Sequence, residues 1–227
     1  MTRRPWLRRL AVTTVSAAGL VSLAAPAEAA TSAPAPTGSA AVTASAVAST
    51  AVTSTAVTAS AAADVGYDTW QRDCRAVMGQ ALPYLKQRIA AAGPGEKQAV
   101  VLDIDNTSLE TDFGFSFPQP ANQPVLEAAQ YAQEHGVALF FVTARPGILY
   151  APTEYNLDQA GYEVSGLYVR GFFDLFEDVA AYKTAQRVAI ESQGYTIIAN
   201  IGNSASDLSG GHAEKTFKLP DYDGQLS

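Results

Sequence analysis

From residue 98 onward, short apolar runs rich in β-branched and aromatic residues alternate with longer stretches whose apolar residues recur at helical spacing. This alternation constrains the fold strongly, because strands joined by helical crossovers pair in parallel within one sheet. The predicted strands are residues 98–102, 137–142, 166–169, 195–201 and 215–219. The pattern therefore predicts an α/β domain in which helices cover both faces of a mostly parallel sheet.

The helical stretches are residues 68–92, 124–135, 150–160 and 178–193. Pro83 lies inside the first of them and is predicted to kink or divide it, because proline cannot donate a helical hydrogen bond. Pro124 suits the first turn of the second helix, where that donor is not needed. The stretch between the first strand and this helix is crowded with phenylalanine and proline and is predicted to be a loop.

Two segments precede the domain. Residues 1–30 combine a basic start, an apolar run and small residues at the end, the pattern of a secretory signal peptide, with a twin-arginine signal as an alternative export route. An uncleaved membrane anchor is the other interpretation, but the apolar run is short and alanine-rich for a membrane span. Residues 31–63 contain almost only Ala, Thr, Ser and Val and are predicted to be a disordered linker. The predicted domain therefore spans residues 64–227, and secretion to the extracellular space is expected.

The charge of the chain narrows the range of partners. The formal net charge is −7, and residues 1–30 carry four arginines and one glutamate, so their removal would make the remainder more acidic. An acidic surface disfavours a nucleic acid polymer or an anionic membrane as partner, while a small phosphate substrate needs only a local positive pocket. Cys74 is the single cysteine and excludes an intramolecular disulfide.

Polar residues follow the predicted strands where ligands collect in parallel sheets. Asp103 and Asp105 leave the first strand at alternate positions, and paired carboxylates of this kind favour a hard cation such as Mg²⁺. Thr143 ends the second strand, and its hydroxyl, with nearby backbone amides such as that of Ala144, could bind a phosphoryl oxygen. Alternatively, the two acids merely begin a solvated loop, and the threonine merely ends a strand.

Three further residues extend this set. Lys183 lies in the helix before the fourth strand, where it could neutralise phosphate charge or simply face solvent. Asn203 and Asp207 follow the fourth strand and place two oxygen donors near the same rim. The alternative is a turn whose Asn, Gly and Ser residues serve only the backbone conformation.

The order and spacing of these residues resemble the haloacid dehalogenase (HAD) superfamily, and within it the secreted acid phosphatases related to plant vegetative storage proteins and bacterial class B enzymes. The resemblance covers residues 67–222 and is most specific in Val-Leu-Asp-Ile-Asp-Asn-Thr at 101–107; Phe-Lys-Leu-Pro at 217–220 also fits. It implies a Rossmann-like three-layer sandwich preceded by a helical region. The short insertion after the first strand leaves room for a small cap or none.

The resemblance also implies roles. Asp103 would be the nucleophile that forms an aspartyl-phosphate, and Asp105 would protonate the leaving alcohol and then activate water. Thr143, Ala144 and Lys183 would bind the phosphoryl group. The residues implied in Mg²⁺ binding are Asp103, Asp105 through its carbonyl, Asn203 and Asp207. The expected enzyme is a phosphoric monoester hydrolase acting on small phosphomonoesters.

One departure from the family pattern concerns the metal. Many relatives have an acid where Asn203 stands, and an amide oxygen coordinates without contributing charge. We therefore expect weaker Mg²⁺ binding, with either Asn203 or Asp207 as the direct ligand.

Substrate choice and activity leave two alternatives open. Phe113, Phe115 and Phe117 could stack a nucleobase or aryl group, or could pack as core beneath a short flap. A catalytically weak or inactive storage or binding protein on the same fold is the alternative function.

Overall fold

The computed structural model describes residues 65–114 and 116–226. The predicted signal peptide and linker, and with them the proposed boundaries of the domain, lie outside the described residues. The strands are β1 (Lys97–Leu102), β2 (Ala138–Pro146), β3 (Gly166–Arg170), β4 (Tyr195–Gly202) and β5 (Thr216–Lys218). The helices are α1 (Tyr67–Ala90), α2 (Gln123–Glu134), α3 (Tyr150–Ala160), α4 (Val179–Ser192) and the short α5 (Ala205–Leu208).

The five strands form one parallel sheet in the order β3-β2-β1-β4-β5. The predicted α/β fold with a mostly parallel sheet is confirmed, and the described sheet contains parallel pairs only. β1 lies in the centre, where Leu102 pairs with Phe141 of β2 and with Ile201 of β4. The carboxyl ends of β1, β2 and β4 are therefore neighbours at one edge of the sheet.

Alternation along β1 divides the interior into two layers. Val100 and Leu102 belong to the larger core beneath α1 and α2, while Ala99 and Val101 belong to the smaller core on the opposite face, beneath α4. All four side chains are buried, because successive residues of a strand point to opposite faces and both faces are covered. This arrangement is the predicted three-layer sandwich.

Helix α1 runs without interruption through Pro83, so of the two predicted effects of this proline the division is wrong, while the kink stays a prediction. Pro83 is exposed, so water can solvate the carbonyl that loses its helical donor, whereas Leu85 and Ala81 nearby are buried. The buried stripe of the helix comprises Trp70, Gln71, Cys74, Met78, Ala81 and Leu85. In the described part of the chain, we find no helix with the length and apolar character that crossing a membrane requires.

The N-terminus of helix α4 is capped, and this helps to position Lys183, one of the predicted site residues. The side chain of Asp178, at its N-cap, accepts a hydrogen bond of 2.9 Å from the backbone amide of Ala181. This contact fixes the start of the helix and brings Lys183 into its second turn, facing the sheet and buried.

Candidate active site

A cavity of about 430 Å³ opens at the edge where β1, β2 and β4 end. Most residues predicted for the site line it: Asp103, Asp105, Ala144, Lys183, Asn203 and Asp207. Asn106, Thr111, Asp112, Val179, Ser204 and Ser206 complete the wall. The structure therefore brings together side chains as far apart in the sequence as Asp103 and Asp207.

The floor of the cavity is a buried ionic network. The Lys183 Nζ lies 2.6 Å from Oδ1 of Asp103 and 2.5 Å from Oδ1 of Asp207. All three side chains are less than a tenth exposed. One cation between two carboxylates stabilises both, because burial of unpaired charges would be costly.

Burial changes the protonation behaviour of this network. Loss of hydration raises the pKa of Asp103 to about 6, against the attraction of Lys183 and with a further rise from the nearby Asp207 carboxylate. Burial acts to lower the pKa of Lys183, but the two carboxylates outweigh it and the net shift is upward. Lys183 is therefore a fixed positive charge beside Asp103.

The position of Asp207 depends on the backbone beneath it. Its Oδ2 accepts a hydrogen bond of 2.7 Å from the amide of Ser204, so both carboxylate oxygens are engaged. A Cβ atom at Gly202 would lie 2.4 Å from the Cβ of Asp207, closer than real side chains approach. Glycine at the end of β4 is therefore what allows Asp207 to fold under the loop and reach Lys183.

Asp105 faces the open side of the cavity. Arg145, near the end of β2, donates to both of its oxygens, at 2.7 Å from Nη2 to Oδ1 and 3.0 Å from Nε to Oδ2. The hydroxyl of Thr111 adds a hydrogen bond of 2.9 Å to Oδ1. Sequence reasoning missed Arg145 as a site residue, although its place two residues after Thr143, at the end of the same strand, was a usable indication.

The loop after β1 is closed by a second pair of contacts. Asn106 adopts a left-handed backbone conformation with φ 52°. Its side-chain amide donates to Asp112 at 2.8 Å and accepts from the backbone of Asp112 at 3.0 Å. These contacts hold the loop as a tight turn over the cavity, with Asp105 at its start.

Thr143 and Ala144 differ in their access to the cavity. Thr143 is fully buried, and its Oγ1 accepts a hydrogen bond of 3.1 Å from the amide of Arg145, which leaves the hydroxyl proton free to be donated. Ala144 lines the cavity directly. Thr143 therefore lies beneath the wall that Ala144 forms.

Asn203 is buried between two partners. Its Oδ1 accepts a hydrogen bond of 3.2 Å from Thr107, and its Nδ2 donates a short hydrogen bond to the carbonyl of Leu226. A carbonyl oxygen only accepts, so the amide nitrogen must face Leu226 and the amide oxygen must face the other way. Asn203, which lines the cavity, thus directs its nitrogen at Leu226 and its uncharged amide oxygen to the side where Thr107 lies.

The donor set suits a weakly held hard cation. Within residues 65–114 and 116–226, no group of three or more His, Cys, Asp or Glu side chains is arranged to hold a metal ion. In the same residues, Oδ2 of Asp103 receives no hydrogen bond, while both oxygens of Asp207 are taken. One carboxylate and one amide oxygen are compatible with Mg²⁺, which commonly keeps several waters and uses few protein ligands.

The three phenylalanines do not form one pocket. Phe113 stacks on Trp70 with ring centroids 4.4 Å apart and packs against the main core. Phe117 is largely exposed, stacks with Tyr155 and lines a second cavity of about 300 Å³. Phe115 lies outside the described residues. Thr111 and Arg145 line this second cavity as well, which places it next to the Asp105 side of the site.

The sequence of the chain matches a known family. A family model described as HAD superfamily, subfamily IIIB (Acid phosphatase) matches residues 21–119 and 116–225. The chain therefore belongs to the acid phosphatase subfamily IIIB of the HAD superfamily, and the predicted family is confirmed.

Individual relatives agree with this membership. Stem 28 kDa glycoprotein from Glycine max is 39% identical over 89 residues, which cover 37% of this chain and 35% of that protein. Acid phosphatase 1 from Solanum lycopersicum is 32% identical over 103 residues, covering 44% and 40%. The matches to these two relatives thus span well under half of their length.

A solved structure shows the same fold. The class C acid phosphatase from Bacillus anthracis aligns with a TM-score of 0.50 at 19% identity, covering 68% of this chain and 82% of that one. The same enzyme with tungstate bound aligns with a TM-score of 0.52 at 16% identity, covering 69% and 80%.

Proposed function

We propose that this chain is a secreted phosphomonoesterase that hydrolyses small phosphate esters through an aspartyl-phosphate on Asp103. The observation that carries the proposal is the position of Asp103. It lies on the floor of an open cavity, with one oxygen held by Lys183 and the other without a hydrogen bond from the described residues. A buried carboxylate held in this way is oriented for attack on an electrophile in the cavity.

In the first step, a carboxylate oxygen of Asp103 attacks the phosphorus of the ester. The phosphorus–oxygen bond to the alcohol breaks, and the leaving oxygen takes a proton from Asp105, which enters this step as the carboxylic acid and leaves it as the carboxylate. The oxygens of the transferring phosphoryl group are stabilised by Lys183, by the Thr143 hydroxyl and by the backbone amide of Ala144. Arg145 contacts both oxygens of Asp105, and Thr111 adds a further hydrogen bond to Oδ1 only, so Oδ2 has fewer contacts and is the oxygen better placed to exchange a proton.

In the second step, a water molecule attacks the phosphorus of the aspartyl-phosphate. Asp105, now a carboxylate, accepts a proton from that water, and the bond between phosphorus and the Asp103 oxygen breaks. Phosphate leaves and both side chains return to their starting states.

We also propose that Asp103, the carbonyl of Asp105 and Asn203 hold a Mg²⁺ ion. When bound, the ion neutralises phosphate charge and helps to orient the phosphoryl group. Asp207 acts as a positioning residue in this proposal, because Lys183 and Ser204 already engage both of its oxygens. The low charge of the donor set supports the predicted weak binding.

The leaving group extends toward the second cavity in this proposal. The general acid must lie beside the leaving oxygen, and Arg145 and Thr111 link Asp105 to the cavity that Phe117 lines. Phe113 is committed to packing against Trp70, so of the two phenylalanines that the structure describes, Phe117 is the one available to a substrate. Secretion rests on the predicted signal peptide at residues 1–30.

Hydrolysis of a chromogenic aryl phosphate, with Mg²⁺ and with a chelator, tests the function. We expect Asp103→Asn to reduce kcat/KM by at least about 10³-fold, because the nucleophile is lost. Asp158→Asn is the matched control, since Asp158 is an exposed acid on α3. An inactive wild type, or an unaffected Asp103→Asn variant, would favour the storage or binding protein on the same fold.

A further inference from the structure

The segment of residues 221–226 approaches the loop after β4 from outside the catalytic cavity. Leu226 is buried in the main core, and its carbonyl receives the hydrogen bond from Asn203 Nδ2. The hydroxyl of Tyr222 donates to Asp73 of α1 at 2.7 Å, which anchors the other end of the segment. The segment is thus tied both to the first helix and to the candidate metal side of the site.

The backbone of this segment depends on those contacts. Tyr222 and Asp223 have φ values of 50° and 57°, in the left-handed region that side chains other than glycine seldom adopt. Consecutive residues persist in this region only when surrounding contacts determine the conformation. The amide of Leu226 closes the turn with a hydrogen bond of 3.1 Å to the carbonyl of Asp221.

We propose that residues 221–226 form a positioning segment for Asn203, in which the Leu226 carbonyl aims the amide oxygen at the cavity and selects an amide over a carboxylate at position 203. Asn203 has a rotatable amide, and the obligate acceptor behind it removes the choice of orientation. An aspartate would place an oxygen against the Leu226 carbonyl, so that two acceptors face each other. The missing acid in the family pattern is therefore matched by a contact that requires the amide.

Lys218 provides a second connection between this segment and Asn203. Lys218, in β5, donates a short hydrogen bond to the backbone carbonyl of Asn203 and forms an ion pair of 3.0 Å with Asp221. The backbone of Asn203 is thereby held by Lys218 and its side chain by Leu226, and both partners belong to the last ten residues of the described chain. Asn203 is thus positioned through contacts with Lys218 and Leu226, neither of which lines the catalytic cavity.

Hydrogen–deuterium exchange of peptides covering residues 219–226 tests the contact directly. We expect Asn203→Asp to raise exchange in this segment by on the order of tenfold or more, because a buried carbonyl loses its donor and meets a second acceptor. Asn203→Ala removes the donor without adding charge. If Asn203→Asp does not fold, exchange in residues 219–226 is compared between Asn203→Ala and the wild type instead. The expected rise for this variant is smaller.

The matched control is Asn200→Asp. Asn200, in β4, is as buried as Asn203, which follows that strand, but the Asn200 amide donates to the carbonyl of Asp207 at 2.8 Å. We expect this variant to lose stability without selective exchange in residues 221–226. The inference would be overturned if exchange in residues 221–226 were unchanged in both Asn203→Asp and Asn203→Ala. It would also be overturned if Asn200→Asp raised exchange in this segment equally.

Titration calorimetry with Mg²⁺ tests the consequence for the site, and this part rests on the proposed function. Tyr222→Phe removes the anchor to Asp73 and leaves every cavity residue in place, so we expect it to weaken Mg²⁺ binding several-fold. Equal Mg²⁺ affinity in wild type and Tyr222→Phe would overturn the positioning of the oxygen. A wild type that binds no Mg²⁺ would instead count against the metal in the proposed function, and the exchange result would still decide the inference.

Discussion

Asp103 and Asp105 are two residues apart on one loop, yet they lie in opposite environments. Asp103 is buried and shares Lys183 with Asp207, whereas the side chain of Asp105 is about one third exposed (35%) and pairs with Arg145 at the mouth of the cavity. The loop after β1 thus presents one carboxylate to the interior and one to the substrate side. Sequence spacing alone therefore does not assign chemistry, because each carboxylate acquires its properties from its burial together with its cation partner.

The two cations suit these environments. Lysine is a compact charge that fits between two carboxylates in a closed space, while the planar guanidinium of Arg145 contacts both oxygens of Asp105 and also reaches Thr153. The buried side fixes the attacking carboxylate in place. The open side can release Asp105 for proton exchange, because its contacts are accessible to solvent.

Replacement of the two cations is expected to have the largest effect and to separate the two sides. Lys183→Met leaves Asp103 and Asp207 buried without a cation between them, so we expect a loss of about 3–5 kcal/mol in the free energy of unfolding. Arg145→Met disrupts a more exposed pair and should cost about 1 kcal/mol. Urea unfolding in the presence of a chelator measures both, and equal losses would contradict the distinction between a buried and an open side.

Removal of the open carboxylate should affect chemistry more than stability. We expect Asp105→Asn to lower kcat/KM by about 10²–10⁴-fold for an alkyl phosphate, since the leaving alcohol loses its proton donor. The loss should be smaller for a nitrophenyl phosphate, whose leaving group departs without a proton. A loss that is independent of the leaving group would argue against Asp105 as the acid, and Asp112→Asn provides a second carboxylate of the same cavity for comparison.

The fold was largely predictable because its indications are local. Apolar runs and helical spacing depend on neighbouring residues, and the predicted strands differ from the observed ones by only a few residues at their ends. The predicted division of α1 at Pro83 was wrong. The effect of a proline depends on whether its face of the helix meets solvent, and Pro83 lies on an exposed face.

The side-chain partners of the site were less predictable. Pairing of Arg145 with Asp105 joins residues forty positions apart, and the contact of Asn203 with Leu226 depends on where the last segment folds back. Neither contact follows from a motif, because each arises from packing of distant elements. Phe113 and Phe117 illustrate the same limit, since one faces Trp70 and the other faces solvent although only four positions separate them.

A third carboxyl beside this loop tests what burial without a cation costs. Glu110 is buried and accepts hydrogen bonds from the neutral groups of Tyr67 and Gln71, each at 3.0 Å. Burial raises the pKa of Glu110, and the hydrogen bond from Tyr67 opposes the rise without cancelling it. Between the ordinary pKa of about 4.3 and the raised value, the folded state binds more protons than the unfolded state, so Glu110 makes stability fall as pH increases.

We therefore expect Glu110→Gln, the smallest of the three effects, to stabilise the protein at pH 7 by on the order of 1 kcal/mol, because the amide keeps the acceptor oxygen and removes the buried charge. The gain should disappear near pH 4, where the wild-type carboxyl is protonated in the folded protein. Thermal unfolding at both pH values measures this, with Glu134→Gln, at an exposed position of α2, as the control. A gain of equal size at pH 4 and pH 7 would show that packing, and not the charge of Glu110, is responsible. A destabilising effect of buried carboxylate charge would then apply only to Asp103 and Asp207 beside Lys183.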